Sequence, residues 1–566
     1  MPKIDVNEGM FFARLGKKFG KKELDELLVT AKAEIDDWTE GSGVLRIECN
    51  DTNRPDLWST LGLARQLSIY LTGRSPAYPF FSRTGAMQKT AERRVVVDAG
   101  LAGIRPFIGS FVVEGREVTD ALLREIIQSQ EKLCGNFGRK RATIAMGVSR
   151  ADLITWPVHY SAADPDATRF VPLDFQTPLS MRQMLTEHPK GRDYGHIVSG
   201  FKRFPLLSDD TGEVLTFPPV INSARIGGVK PGDTRLFIDL TGPDLDIILT
   251  ACSIAACDFA DMGFTVLPVS VEYPSDTPYG RAISTPLYFQ EETVLEVADA
   301  EKRLGDSFSP EQAAACIRKM GSHVRIEGSR LIVTPPEYRN DFLHPVDAIE
   351  EIMIGRGMES FAPVMPRDFT VGRVTPGEEY GRKVRELMVG MGYQEMIYGY
   401  LGAKRDFVEK MGIDGSDVLE IANPMTESFD IVRNSIIPNL LASEAASAHA
   451  VYPHRIFEVG KIAVRDPAAN EGTHTWDALG FLIADRNAGF NEVDAHLLAL
   501  FYYLSIEPQL VPAEDVRFIA GRAAEIRVGG IPVGIMGEIH PQCLFNWGIE
   551  MPCAVVELRL DAVRGG

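Results

Sequence analysis

Fifteen residues, Tyr338-Arg-Asn-Asp-Phe-Leu-His-Pro-Val-Asp-Ala-Ile-Glu-Glu-Ile352, carry four carboxylates and restrict what the chain around them can become. Pro345 suits the first turn of a helix, where its missing N–H costs nothing. Asp347, Glu350 and Glu351 then fall at i, i+3 and i+4, on one helix face. Asp341 precedes the helix and can fold back over that face. Such acids repel one another unless a hard cation sits among them, and Mg²⁺ with retained waters is the usual guest. The competing account is that acids at a helix N-terminus are favoured by the macrodipole and stay solvated.

At 566 residues the chain is too long for one core, and about four domains are expected from length. Its 45% hydrophobic and 24% charged content is that of a globular protein that needs no lipid. No apolar run reaches the ~18 residues a membrane helix needs, so no membrane partner is expected. The longest candidate, Ile247 to Cys257, reads as a buried helix. Met1-Pro-Lys-Ile-Asp-Val-Asn-Glu begins with charges and has no apolar signal core. The seven cysteines are scattered without a C-x-x-C pair, which predicts buried free thiols and a cytoplasmic location. The formal charge of −19 opposes a chain that wraps nucleic acid unaided. Lys17-Lys18-Phe19-Gly20-Lys21-Lys22 and Arg139-Lys140-Arg141 are local basic patches, either solvated faces or phosphate sites.

Four units follow along the chain. Residues 1 to about 90 read as a mixed module with a helix from Lys22 and a strand over Val44–Cys49. Before its next helix lies the polar turn Asn53-Arg54-Pro55-Asp56, and Gly73 to Gly85 looks like a linker. The second unit, to about Tyr273, predicts strands at Arg94–Val97, Ile108–Val113 and Ala142–Gly147 and a helix over Thr119–Leu133. Its continuous stretch Leu215–Asn222 and the strand Arg235–Gly242 follow, the latter running into a helix from Pro243 to Met262. Asp239 and Thr241 therefore stand near a strand-to-helix junction, where orphan N–H groups favour ligands. The third unit predicts helices over Glu291–Leu304 and Ser309–Met320, a hairpin over Val324–Val333 and the carboxylate segment. This resembles a winged helix but has no basic recognition helix. The last unit mixes a helix over Gly377–Met391 with strand-like stretches at Glu395–Tyr400, Leu479–Ala484 and Ala523–Gly537.

Asp341, followed by acids at +6, +9 and +10 and preceded by Pro335-Pro-Glu-Tyr-Arg-Asn340, resembles the Mg²⁺-binding segment of the phenylalanyl-tRNA synthetase β-subunit family. The Asn53-Arg54-Pro55-Asp56 turn is similar to one in that family's N-terminal module. The order of units and the length resemble the archaeal/eukaryotic type. The longer bacterial type has an inserted oligonucleotide-binding module and a C-terminal anticodon-binding module, to which nothing here corresponds. The resemblance implies a multidomain α/β and α+β fold: a mixed module over 1–90, a tRNA-editing-type α/β module over 91–275, a winged-helix-like module over 284–363 and a degenerate class II synthetase catalytic-like antiparallel-sheet module over 367–566. It implies Mg²⁺ held by Asp341, Asp347, Glu350 and Glu351. It also implies assembly with the phenylalanyl-tRNA synthetase α subunit as two α and two β chains, and binding of tRNA(Phe).

A class II active site clamps ATP phosphates with one Arg on a strand and a second after a Gly-rich strand–helix element, because charge on the transferring group must be fixed in place. Arg433 and Glu458 resemble fragments of the first element. Trp547 to Leu560 contains no G-x-G-x-x-R, so this module is expected to dock onto α and not to activate phenylalanine. A phenylalanine pocket excludes tyrosine poorly, and hydrolytic editing of Tyr-tRNA solves that problem. The resemblance places Leu207, Thr216, Asp239 and Thr241 at the editing pocket, with Thr216 where serine is expected. Asp239 suits either a hydrogen bond to a phenol or a hold on attacking water. Alternatively, Asp239 and Thr241 only cap the following helix. A free-standing hydrolase of mischarged tRNA and a non-enzymatic nucleic-acid binder are the competing functions.

Overall fold

A computed structural model describes residues 2–81, 92–426, 428–447 and 449–565. The expected boundary near residue 90, the end of the expected linker and Glu427 lie outside the described residues. The chain forms two compact units, Met1–Val364 and Met365–Gly566.

The first unit begins with the antiparallel sheet Lys3–Asn7, Val44–Cys49 and Ala33–Trp38, in that spatial order. Alternating burial along Val44–Cys49 puts Leu45, Ile47 and Cys49 into a core beneath helices Glu8–Leu15 and Thr60–Thr72. Ser59 caps the second helix by accepting from Gly62 N. Its hydroxyl also donates to Asp258 at 2.7 Å. From the same helix, Arg65 reaches Asp261 at 2.8 Å and Asp258 at 3.2 Å, with its side chain only 1% exposed. These bonds tie the N-terminal elements to helix Leu245–Asp261, which is buried nearly all round.

That helix covers one face of a ten-stranded sheet. Its path runs Ile221–Asn222, Val214–Phe217, Phe204–Ser208, Val158–Ala163, Arg94–Val97, Thr265–Thr277, Phe107–Glu114, Leu236–Gly242 and Ala145–Arg150; Gly280–Thr285 is a branch on Thr265–Thr277. The two ends of this path curl towards each other. Asn222 Nδ2 donates to Val148 O at 3.2 Å, and Arg150 N donates to Ile226 O at 2.9 Å. The single stretch expected over Leu215–Asn222 is two strands separated by Pro218–Pro219, because two successive prolines supply no ladder donors.

Further on, helices Val297–Leu304, Pro310–Lys319 and Pro345–Arg356 pack on strands Thr293–Glu296, Arg330–Thr334 and His323–Glu327. The helix expected from Glu291 starts instead at Val297. Thr293 and Val294 extend and pair with Val333 and Ile332, as β-branched residues favour.

The second unit has a seven-stranded sheet ordered Gln394–Glu395, His454–Arg465, Thr473–Ala484, Cys553–Arg559, Ile531–Ile539, Phe518–Val528 and Pro508–Pro512. All its pairings are antiparallel except the first. Helices Pro376–Gly390 and Phe490–Leu504 share one core with it, and helices Ile437–Ala446 and Pro541–Trp547 share another. The strand expected over Glu395–Tyr400 is only Gln394–Glu395, and the stretch expected over Ala523–Gly537 is a hairpin turning at Gly529–Gly530. No helix among the described residues is long and apolar enough to cross a membrane. All seven cysteines are free, and all but Cys316 are buried.

Candidate functional site

Where the ends of the ten-stranded sheet meet, they enclose a cavity of about 220 Å³. One wall comes from Ala145, Met146 and Gly147; the other comes from Thr216 and the turn Pro218–Asn222. Asp239 lies at its floor, 1% exposed, on a strand flanked by Ser110 on one side and Gly147 on the other. A Cβ on Gly147 would stand 2.3 Å from Asp239 Oδ2, so the carboxylate needs glycine at that position. Asp239 Oδ2 has no hydrogen-bond partner among the described residues. Burial alone pushes this carboxyl up to about 7. An unsatisfied buried acceptor costs about 1–3 kcal/mol, and a ligand donor entering the cavity would relieve that cost.

Thr216 is 3% exposed and donates to Ile221 O over a long 3.4 Å, leaving its hydroxyl loosely held at the wall. Leu207 is its register partner on the adjacent strand, buried with Tyr160, Leu215 and Phe237. Thr241 is fully buried, and its hydroxyl accepts from Arg105 Nε at 2.9 Å. The structure thus brings Thr216 and Asp239 into the lining of the cavity, whereas Leu207, on the strand beside Thr216, and Thr241, on the Asp239 strand, are buried nearby and do not line it. Neither Asp239 nor Thr241 caps the following helix: Asp244 does, accepting from Ile247 N at 3.0 Å. Sequence reasoning missed Gly147, Lys190 and Asn222 in the wall and noted Arg141 only within a basic patch. The consecutive prolines at 218–219 were the available signal for a wall-forming turn.

The four expected Mg²⁺ ligands already have partners within the protein. Arg339, its side chain 3% exposed, holds Asp341 at 2.6 and 2.9 Å and Glu351 at 2.9 and 3.0 Å. Burial acts to raise the Asp341 carboxyl, but the Arg339 guanidinium outweighs it and holds the group at about 2. Asp347 accepts from the backbone N–H groups of Leu343 and His344, both at 2.8 Å, in a capping box. Glu350 pairs with Lys32 at 2.9 Å. No group of three or more His, Cys, Asp or Glu side chains is gathered for a metal among the described residues. The expected four-carboxylate nest is not formed in this chain alone, because protein cations and N–H groups already neutralise its members. As arranged, these residues do not fit a metal ion.

In the second unit, Arg433 is fully buried. It donates to Glu458 at 2.7 and 3.1 Å, to Lys461 O at 2.8 Å and to Asn439 at 3.3 Å, and its guanidinium lies 4.9 Å from the Tyr400 ring centroid. A guanidinium so consumed has no free edge for an external phosphate.

Two curated relatives named phenylalanine–tRNA ligase β subunit align over nearly the whole molecule. That of Borreliella burgdorferi (strain ZS7) is 46% identical over 563 residues, covering 99% of both chains. That of Borrelia garinii subsp. bavariensis is 44% identical over 564 residues, again covering 99% of each. The chain belongs to the phenylalanine–tRNA ligase β-subunit family. It is therefore a subunit of an aminoacyl-tRNA synthetase. Within this family, three models match in order: the Phe-tRNA synthetase beta subunit B1 domain over 1–73, the tRNA synthetase B5 domain over 293–358, and the phenylalanyl tRNA synthetase beta chain CLM domain over 362–560. A solved N-terminal fragment of the phenylalanyl-tRNA synthetase β subunit from Pyrococcus horikoshii matches with a TM-score of 0.58 and 32% identity. It covers 63% of this chain and 100% of the fragment. The Borrelia relatives are bacterial, so the expected archaeal/eukaryotic type does not follow from them.

Proposed function

We propose that this chain is the non-adenylating β subunit of a phenylalanine–tRNA ligase, working with an α subunit as two α and two β chains in the cytoplasm. The observation that carries this reading is the burial of Arg433 against Glu458, which removes it from any phosphate clamp. The division into modules at 1–90, 91–275, 284–363 and 367–566, with the third winged-helix-like and the last a degenerate class II domain, belongs to the same reading. So does the archaeal/eukaryotic type, which the likeness to the Pyrococcus horikoshii fragment supports. The isolated chain is expected to show no phenylalanine-dependent ATP–pyrophosphate exchange, and exchange is expected only when an α chain is added. Exchange by the chain alone would overturn the assignment.

In this reading the chain also binds tRNA(Phe) and hydrolyses mischarged Tyr-tRNA at the Thr216–Asp239 cavity. Water attacks the ester carbonyl, the ester C–O bond breaks, and tyrosine leaves with the tRNA hydroxyl restored. Asp239 Oδ2, buried and unpartnered, is the acceptor for the tyrosine phenol. Phenylalanine would leave that acceptor unpaired, and such a site rejects an analogue lacking the hydroxyl strongly. Leu207 and Thr241 support this wall. Asp239→Ala is expected to slow Tyr-tRNA deacylation by about 100-fold or more while Phe-tRNA formation persists. Unchanged deacylation removes Asp239 from the site.

Mg²⁺ at Asp341, Asp347, Glu350 and Glu351 remains part of the proposal for the assembled enzyme only. Binding there requires Arg339 and Lys32 to release their carboxylates. Asp347→Ala is then expected to lower bound Mg²⁺ in the dialysed complex; equal metal content in variant and wild type would refute the site.

A further inference from the structure

Arg139, Lys140 and Arg141 stand in succession at φ 48°, 53° and 68°, a conformation that residues with side chains adopt rarely. The turn is held by Lys140 N donating to Gly135 O at 2.8 Å and by Arg141 N donating to Cys134 O at 2.9 Å. It sends the chain from helix Asp120–Lys132 back towards strand Ala145–Arg150 and carries Arg141 across the sheet seam. There Arg141 Nη1 donates to Pro219 O and Val220 O, both at 3.0 Å, and the guanidinium lies 4.1 Å from the Tyr194 ring centroid. Lys190 Nζ lies 5.9 Å from that ring. Arg141 and Lys190 both line the cavity and are half-buried, whereas Asp239 is at its floor. Neither cation has a carboxylate in ion-pair range among the described residues, although exposed Glu131 and Asp174 line the same cavity. Two cations braced on one aromatic ring, with donors to spare, form a rim suited to an anion with several acceptor oxygens.

We propose that Arg141 and Lys190, braced by Tyr194, grip the phosphodiester of the nucleotide bearing the acyl group, so that the esterified side chain hangs towards Asp239. This rests on the editing reading above and adds a binding handle to it. The handle explains how a small cavity distinguishes an aminoacyl nucleotide from the free amino acid: the phosphate engages the rim while the side chain engages the floor.

The test uses the full chain and two esters, 2′(3′)-O-tyrosyl adenosine with and without a 5′-phosphate. Wild type is expected to hydrolyse both, with KM about ten-fold lower for the phosphorylated ester. Lys190→Gln and Arg141→Gln are each expected to bring that KM ratio close to one. Arg141 also anchors the Pro219–Val220 turn, so Lys190→Gln, which loses no backbone contact, makes the decisive comparison. If wild type hydrolyses both esters with equal KM, or if Lys190→Gln retains the preference, the rim proposal is overturned and the editing reading stands. If wild type hydrolyses neither ester nor Tyr-tRNA, the editing reading itself fails and takes the rim with it.

Discussion

At the scale of the residue, Asp239 concentrates the physics of the cavity. Its folded-state value of about 7 lies above the ordinary 3.8. The protonated carboxyl therefore contributes stability that is fully present below about pH 4 and is lost as pH rises to about 7. Wild type is expected to lose up to about 4 kcal/mol from this group across that window. Asp239→Asn should lack this part of the slope, so denaturant unfolding at pH 5 and pH 8 should show the variant gaining on wild type at the higher pH. Parallel pH profiles would show that Asp239 is already satisfied. Asp239 was legible in the sequence because it stands near a strand-to-helix junction and matched a family position. Arg141 was not, since a run of Arg-Lys-Arg reads the same whether it is solvated or turned inward. Three successive left-handed residues leave no compositional mark when none of them is glycine. The carboxylates of 341–351 show the opposite difficulty: their number was plain, but Arg339, Lys32 and the cap that neutralises them depend on distant or backbone partners.

At the scale of the element, helix Leu245–Asp261 and helix Thr60–Thr72 are joined through Arg65. With the guanidinium 1% exposed and two carboxylates on it, removing it strands buried charge. Arg65→Ala should therefore cost about 3–5 kcal/mol, read as a lower urea midpoint for the unit it spans; a shift under about 1 kcal/mol would mean that water replaces the pair. The helices were readable from periodicity and caps, and the buried one from its unbroken apolar run. Strand limits were less so. Leu215–Asn222 looked continuous until the missing proline donors broke it, and Thr293–Glu296 was hidden inside a helical-looking stretch whose β-branched residues found partners about forty positions away.

At the scale of the whole molecule, catalytic ancestry and present chemistry separate in the proposed reading. The second unit keeps a mostly antiparallel sheet with helices on it, while Arg433 serves Glu458, Asn439 and the Lys461 carbonyl. In the reading proposed above, this guanidinium is an internal strut of its domain, and the exchange inactivity expected of the lone chain follows from that role. That expectation was foreseeable from the absent Gly-rich arginine element. The curl of the large sheet was not, because closure of a seam is decided by pairs such as Asn222 and Val148 that lie far apart in sequence.

That seam has an evolutionary corollary. The cavity is bounded on one side by a two-residue strand and a proline turn at the end of the sheet, whose Val220 is buried in a small satellite core with Phe204 and Phe217. Swaps among the exposed faces of its lining residues would reshape the wall while the remaining strands keep their pairing. In the editing reading proposed above, preference for one acyl group over another can therefore be altered at this wall while the large sheet is kept.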